Sequence, residues 1–271
     1  MNEEDIDEVE KSKRIQFGLR GYQEVATTRT DEIFASEDHN RYSAVILPTG
    51  GGKSFVAIQE LLSFNNPGYT EKHRNATAKK SKDGEMRGGI NDAKMLYIAP
   101  THEILSQIKL HIVKNVLLSI PDLDKKSIAE IDQIIKEEFP SLKFQGINHQ
   151  IGEGNIPIIA DNASASEKKS AILRQISPKQ IDALVKAAFP NLIFKCYASV
   201  KGEKANVEDE DLLNAEFIIV DEAHRLGASE WRPNFEDNIR KNSNVKILGI
   251  TATPERTDKQ GKDMMAEIAK M

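Results

Sequence analysis

Residues 43–54 read Ser-Ala-Val-Ile-Leu-Pro-Thr-Gly-Gly-Gly-Lys-Ser, and they constrain the fold more than any other stretch. Ser43–Leu47 is a short apolar run rich in β-formers, stopped by Pro48 and three glycines. That pattern predicts a buried strand meeting a tight turn. From Lys53 to Phe64 the apolar residues Phe55, Val56, Ile58, Leu61 and Leu62 fall at helical spacing. A glycine loop between a strand and a helix is a receptor for phosphate: its amides can point at anionic oxygens, and the helix start adds positive potential. Thr49, Gly50, Gly51, Gly52, Lys53 and Ser54 are therefore the candidate phosphate loop. Lys53 would reach the β- and γ-phosphates, and the Ser54 hydroxyl would bind Mg²⁺. Leu47 stands where the usual pattern has its first glycine, and the competing reading is a plain glycine-rich turn.

The chain has 271 residues, enough for one large domain or a domain with an insertion. It is 39% hydrophobic and 29% charged, so a buried core is expected. No apolar run approaches the roughly 18–20 residues of a membrane span. The acidic start MNEEDIDEVE is not a secretory signal, and the single Cys196 excludes an internal disulfide framework. These features predict an intracellular, cytoplasmic protein. A net charge of −5 excludes a uniformly basic surface but leaves room for a local basic groove.

Residues 1–18 read as an acidic tail and residues 19–271 as the folded domain. A helix is expected from about Tyr22 to Ser36, strands at Lys94–Ala99, Phe217–Val220 and Val245–Ile250, and a helix from Glu103 to Leu118. Strands alternating with helices predict an α/β fold, a mostly parallel sheet with helices on both faces. Residues 65–92 are polar and read as a flexible surface loop, or alternatively as a basic loop touching phosphates. Ser127–Phe144 and Ser177–Phe194 repeat one another at an offset of fifty residues, each opening with a capping-box pattern, Ser127 with Glu130 and Ser177 with Gln180. Each copy reads as a helix followed by a short strand. We place an insertion within 120–200 and give the repeat an architectural role.

Phe217-Ile-Ile-Val-Asp221-Glu222-Ala-His224 is an apolar strand ending in two adjacent acids. Phosphoryl transfer to water needs one group for the metal and another for the nucleophile. Asp221 would hold Mg²⁺ and Glu222 would orient the attacking water. The competing reading is a solvated acidic turn.

Taken in order, these segments resemble the superfamily 2 helicases and translocases of the DEAH-type branch, over nearly the whole chain. Leu19-Arg20-Gly21-Tyr22-Gln23 resembles the adenine-reading element that precedes the phosphate loop, with Gly21 in place of the usual proline. The resemblance implies that Arg20, Tyr22 and Gln23 meet the nucleotide. Gln23 suits an adenine edge by its donor and acceptor; its other reading is an exposed residue at a helix start. Pro48–Ser54 resembles motif I, and Asp221–His224 resembles motif II, which places His224 with Lys53, Asp221 and Glu222 in the catalytic set. Pro100-Thr101-His102 resembles motif Ia, a nucleic-acid backbone contact, although Thr101 also suits a plain helix cap. Thr251-Ala-Thr253-Pro254 resembles motif III, which couples hydrolysis to strand movement; Thr251 and Thr253 could bond His224 or serve only as turn residues. Tyr197-Ala-Ser199 sits where the family has a further backbone contact, and equally suits a buried strand end. Trp231 reads as a packing residue.

The resemblance implies a RecA-like ATPase domain that uses ATP and Mg²⁺ to move along or unwind nucleic acid. The Thr-Ala-Thr-Pro form with Glu255-Arg256 looks closer to DNA-acting members, such as restriction-enzyme translocating subunits, than to the Ser-Ala-Thr RNA helicases, hence DNA. The sequence holds no motifs of a second RecA-like domain, which in such helicases supplies an arginine finger. The chain alone is therefore expected to turn ATP over slowly and not to unwind. A nucleotide-gated binding module without turnover is the alternative; a small-molecule kinase explains the ordered segments less well.

Overall fold

The computed structural model describes residues 19–35, 41–65, 94–118, 122–138, 162–200, 209–227 and 232–253. The expected loop, apart from its first residue, and Trp231, Pro254, Glu255 and Arg256 lie outside them, as does the strand expected after the first repeat copy. The chain divides into two compact units. One comprises the described residues up to Leu105 and from Asn191 onward; the other lies within Ser106–Pro190.

In the first unit the strands are β1 (Tyr42–Ile46), β2 (Met95–Ala99), β3 (Leu192–Cys196), β4 (Phe217–Asp221) and β5 (Lys246–Thr251). Among the described residues they form one five-stranded sheet in the order β1-β5-β4-β2-β3. Every pairing is parallel. The α/β class expected from the alternation of elements is the one observed, with parallel strands and covering helices.

Strands buried on both faces should read as continuous apolar runs. All residues of β2, β4 and β5 are buried, and MLYIA, FIIVD and KILGIT meet that demand except at their ends and at Lys246. Successive side chains point to opposite faces. On one face Phe217 stacks on Phe64 at 4.6 Å and meets Phe34 edge-on at 5.9 Å. Phe34 belongs to α1 (Gly21–Ala35) and Phe64 to α2 (Lys53–Asn65). On the other face Ile218 and Val220 share a cluster with Phe235 and Ile239 of α9 (Arg232–Lys241).

Helix α3 (His102–Leu118) follows β2. The second unit adds α4 (Ile128–Glu138), α5 (Ala165–Gln175) and α6 (Pro178–Ala188). Both repeat copies open their helices with the expected capping boxes. The amide of Ser127 donates to Glu130 at 2.7 Å while the amide of Glu130 donates to Ser127 Oγ at 3.3 Å; Ser177 and Gln180 do the same. A third box, Ser164 with Glu167, opens α5 and was not anticipated. Lys168 is fully buried, and its ammonium donates to the carbonyls of Asp124 and Lys126, both at 2.7 Å.

Sequence reasoning placed the other strand and helix ends within a residue of those observed, except that β3 runs two residues past its expected end at Phe194. It missed α5, α9, α7 (Tyr197–Val200), α8 (Glu210–Leu213) and the 3₁₀ turn Ala223–Gly227, which are short or strongly polar. Asn242 follows α9, and its side-chain amide donates to the carbonyls of Leu212 and Ala215, both at 2.8 Å. Both bonds are buried, so Asn242→Ala strands two acceptors. We expect a loss of about 1–3 kcal/mol in unfolding free energy, read by urea denaturation with an unchanged m-value.

Candidate functional site

The parallel register carries the ends of the strands to one edge. Ile46 pairs with Thr251, Asp221 with Ile250, and Ala99 with Cys196. The glycine loop therefore leaves β1 beside the end of β5, and the amide of Leu47 donates to the carbonyl of Thr251 at 3.0 Å.

Within the loop the amide of Gly51 closes a turn onto the carbonyl of Pro48 at 2.8 Å. Gly50 and Gly52 take left-handed φ values of 79° and 78°, which favour glycine. At Gly52 space is decisive as well: a Cβ there would lie 2.1 Å from Gln23 Nε2. The Gly52 carbonyl then accepts from the amides of Phe55 and Val56 at 2.9 and 3.4 Å, which starts α2. Thr49 is exposed at the loop and Ser54 is partly buried in the first helical turn.

Three residues at the start of α1 converge on the loop. Gln23 Nε2 donates to the Gly51 carbonyl at 2.9 Å, and its Oε1 accepts from the amide of Arg20 at 2.9 Å. The Tyr22 hydroxyl donates to the same Gly51 carbonyl at 3.1 Å, and Arg20 Nη1 reaches that hydroxyl at 3.3 Å. Gln23 is only 5% exposed, so the reading of it as a solvent-facing helix start is overturned. The side chain is long enough to turn back onto main chain, and both ends of its amide are engaged there.

The two acids sit in unlike surroundings. Asp221 is buried; Tyr97 donates to its Oδ2 at 3.0 Å and the amide of Glu222 to its Oδ1 at 2.9 Å. Burial pushes its carboxyl above the usual carboxylate range and the charge of Glu222 adds to this, while the two donors and Lys53 oppose it. Burial and the neighbouring Asp221 push the Tyr97 hydroxyl well up. Glu222 is less buried, with Oε1 3.7 Å from Lys53 Nζ and Oε2 3.3 Å from His224 Nδ1. His224 Nδ1 also lies 2.8 Å from Thr251 Oγ1, and the amide of Thr253 donates to that same oxygen at 3.2 Å. Lys53, Glu222, His224, Thr251 and Thr253 thus form one continuous chain of contacts, and the expected link between Thr251 and His224 is present. The acid pair is not a solvated turn.

Glu222 has a φ of 52°, unusual for a residue with a side chain. Tyr197, the first residue of α7, is buried, and its hydroxyl donates to the carbonyls of Asp221 and Glu222, the latter at 3.1 Å. Neither Tyr97 nor Tyr197 was singled out for this role by sequence reasoning. Tyr97 lay in an expected apolar strand, and Tyr197 read as a nucleic-acid backbone contact or a buried strand end, whereas it starts the helix α7; the one available signal was a hydroxyl that a buried tyrosine must satisfy.

Pro100, Thr101 and His102 lie at the end of β2, on the same sheet edge. Thr101 caps α3: its Oγ accepts from the amide of Ile104 at 3.4 Å, and its hydroxyl holds the Glu103 carboxyl below its usual range. Among the described residues no group of three or more His, Cys, Asp or Glu gathers as for a metal held by protein alone. Ser54 and Asp221 offer hard oxygen donors, one hydroxyl and one carboxylate, which suit an Mg²⁺ shared with substrate phosphates.

The family model of the type III restriction enzyme res subunit matches residues 16–256, and the chain belongs to that family. It is a superfamily 2 helicase-type ATPase domain. A solved structure of the DEAD-box helicase Mss116 bound to ssRNA and UDP-BeF is similar at 16% identity, with a TM-score of 0.40 over 90% of this chain. This chain spans 37% of that helicase. No curated protein matches the chain. Among the described residues no helix is long and apolar enough to cross a membrane.

The raised Asp221 carboxyl has a consequence for stability. The native state binds this proton more tightly than the unfolded chain, so ionisation destabilises the fold above the unfolded pKa, and the penalty vanishes below it. Asp221→Asn is expected to raise the melting temperature of the full chain at pH 7–8, by about 2–4 °C per kcal/mol gained. The advantage should shrink towards about pH 4. An advantage that persists undiminished at acid pH would show that packing, not charge, is responsible.

Proposed function

We propose that this domain binds and hydrolyses ATP as the motor domain of a DEAH-type superfamily 2 helicase or translocase, acting on nucleic acid and specifically on DNA. The observation that carries the reading is the chain of contacts from Lys53 through Glu222 and His224 to Thr251. It joins a cation at a helix start, an acid and a sensor of the next strand at the mouth of one glycine loop.

In this reading the amides of the loop and the Lys53 ammonium hold the β- and γ-phosphates. Ser54 and Asp221 would hold Mg²⁺, which supplies charge neutralisation at the phosphates when bound. Glu222 orients the attacking water and takes its proton. Arrival of nucleotide breaks the long 3.7 Å contact between Lys53 and Glu222 and frees the acid for that task. His224 then reports the change to Thr251 and Thr253. Gln23 reads the adenine edge by exchanging its bond to Gly51 for one to the base, with Arg20 and Tyr22 flanking the nucleotide. Pro100, Thr101 and His102 meet the polymer backbone. The domain works with a second RecA-like domain, and alone turns ATP over slowly.

The test is ATP turnover by the chain with and without single-stranded DNA, duplex DNA and RNA. Lys53→Ala should weaken binding of a fluorescent ATP analogue about 10–150-fold, the loss of a charged hydrogen bond. Glu222→Gln should retain that binding and lower turnover about 10²–10⁴-fold. Turnover raised by DNA and lost in Glu222→Gln is the expected outcome. Lys53-dependent binding with no Glu222-dependent turnover would make the chain a nucleotide-gated binding module instead.

A further inference from the structure

The Tyr197 hydroxyl meets the acid pair from two strands away. Tyr197 follows β3 directly; β3 pairs with β2 at Ala99 and Cys196, and β2 pairs with β4 at Ile98 and Val220. These registers bring Cys196, the last residue of β3, level with Asp221, the last residue of β4, and so set Tyr197 level with Glu222. The ring is buried, and the hydroxyl faces the carbonyls of Asp221 and Glu222 together. A phenol has one proton, so the two carbonyls share a single donor.

Glu222 needs such a hold. Its left-handed backbone persists only where the surroundings over-determine it. Its carbonyl accepts from the amide of Arg225 at 2.9 Å, a local bond of the 3₁₀ turn, and from Tyr197, a bond from a distant element. On the other side, the Glu222 amide is tied to Asp221 Oδ1 at 2.9 Å. The backbone of Glu222 is thus pinned before and after its Cα. With the backbone fixed, the carboxylate leaves the chain in one direction, towards Lys53 and His224. Freed from Tyr197, Glu222 could relax towards an ordinary φ, and its carboxylate would swing away from both. Small misplacements of a group that must align water carry large rate penalties.

We infer that Tyr197 is a positioning residue for Glu222: its hydroxyl holds the strained peptide between Asp221 and Ala223 so that the Glu222 carboxylate is aimed before nucleotide arrives. This inference rests on the proposed role of Glu222 in hydrolysis. It also assigns the segment Tyr197–Val200 two faces. Tyr197 and Val200 point inward, while Ala198 and Ser199 are exposed. Tyr197 is therefore not itself a polymer contact.

The experiment compares the full chain with Tyr197→Phe, measuring single-turnover ATP hydrolysis, steady-state kcat and KM, affinity for a fluorescent ATP analogue, and melting temperature. Lys53→Ala supplies the background rate. We expect Tyr197→Phe to lower kcat about tenfold, the weight of one shared neutral hydrogen bond felt at the reacting group. KM and analogue affinity should stay within about twofold, because nothing that holds phosphate has changed. If Tyr197→Phe does not fold, Tyr197→His is read by the same split. A folded variant with wild-type kcat overturns the inference, as does a variant whose kcat and nucleotide affinity fall together with its melting temperature, since that pattern is a structural role. Wild-type turnover no higher than Lys53→Ala defeats the functional reading itself and this inference with it. Lys53-dependent turnover that ignores Tyr197→Phe defeats this inference alone.

Discussion

Parallel pairing is the constraint on which the rest of the site depends. When strands run the same way in register, their last residues line one edge of the sheet. Here that edge receives Leu47 after β1, Asp221 at the end of β4, Thr251 at the end of β5 and Tyr197 after β3. These residues are far apart in the chain, yet no long loop has to bring them together. The central strands β2 and β4 are apolar and buried, so their polar chemistry is confined to their ends. Ligands in open α/β sheets bind at such carboxyl edges for this reason.

At that edge two neighbouring carboxylates are set to different tasks by their surroundings. Asp221 is buried and accepts hydrogen bonds from Tyr97 and from the next amide, and burial raises its carboxyl. Glu222 turns through a left-handed backbone to face a lysine and a histidine. Carboxylates in contrasting environments are a recurring way to divide roles within one site. The arrangement costs stability, through a buried charge and a strained residue, and such costs gather at functional sites.

The second unit shows the opposite economy, with order supplied by local devices. Its helices α4, α5 and α6 each open with a reciprocal capping box, which satisfies orphan amides within four residues. Fully buried Lys168 ends on two main-chain carbonyls, so its charge is met by the dipoles of the segment before α4. Two of the three boxes were legible because a repeat at an offset of fifty residues drew attention to them. The third, at Ser164, opens a strongly polar helix, and apolar periodicity gives no warning of it.

What the sequence alone determined follows from short-range physics. Alternating apolar runs and helical stripes specified the α/β class and most strand positions. The spacing of glycines, Lys53 and the acid pair named the phosphate loop and Asp221–Glu222, because chemistry of this kind needs those residue types at strand ends. Only the tertiary structure decided the second layer. It turned Gln23 inward onto Gly51, where the missing Cβ of Gly52 leaves room. It turned Tyr97, within β2, into a donor to the Asp221 carboxylate, and Tyr197, just after β3, into a donor to the main-chain carbonyls of the acid pair. It set the strand order that joins Glu222, His224 and Thr251. A hydroxyl carries no mark in sequence of the acceptor it will meet; that partner is chosen by register between strands, which is a property of the whole sheet.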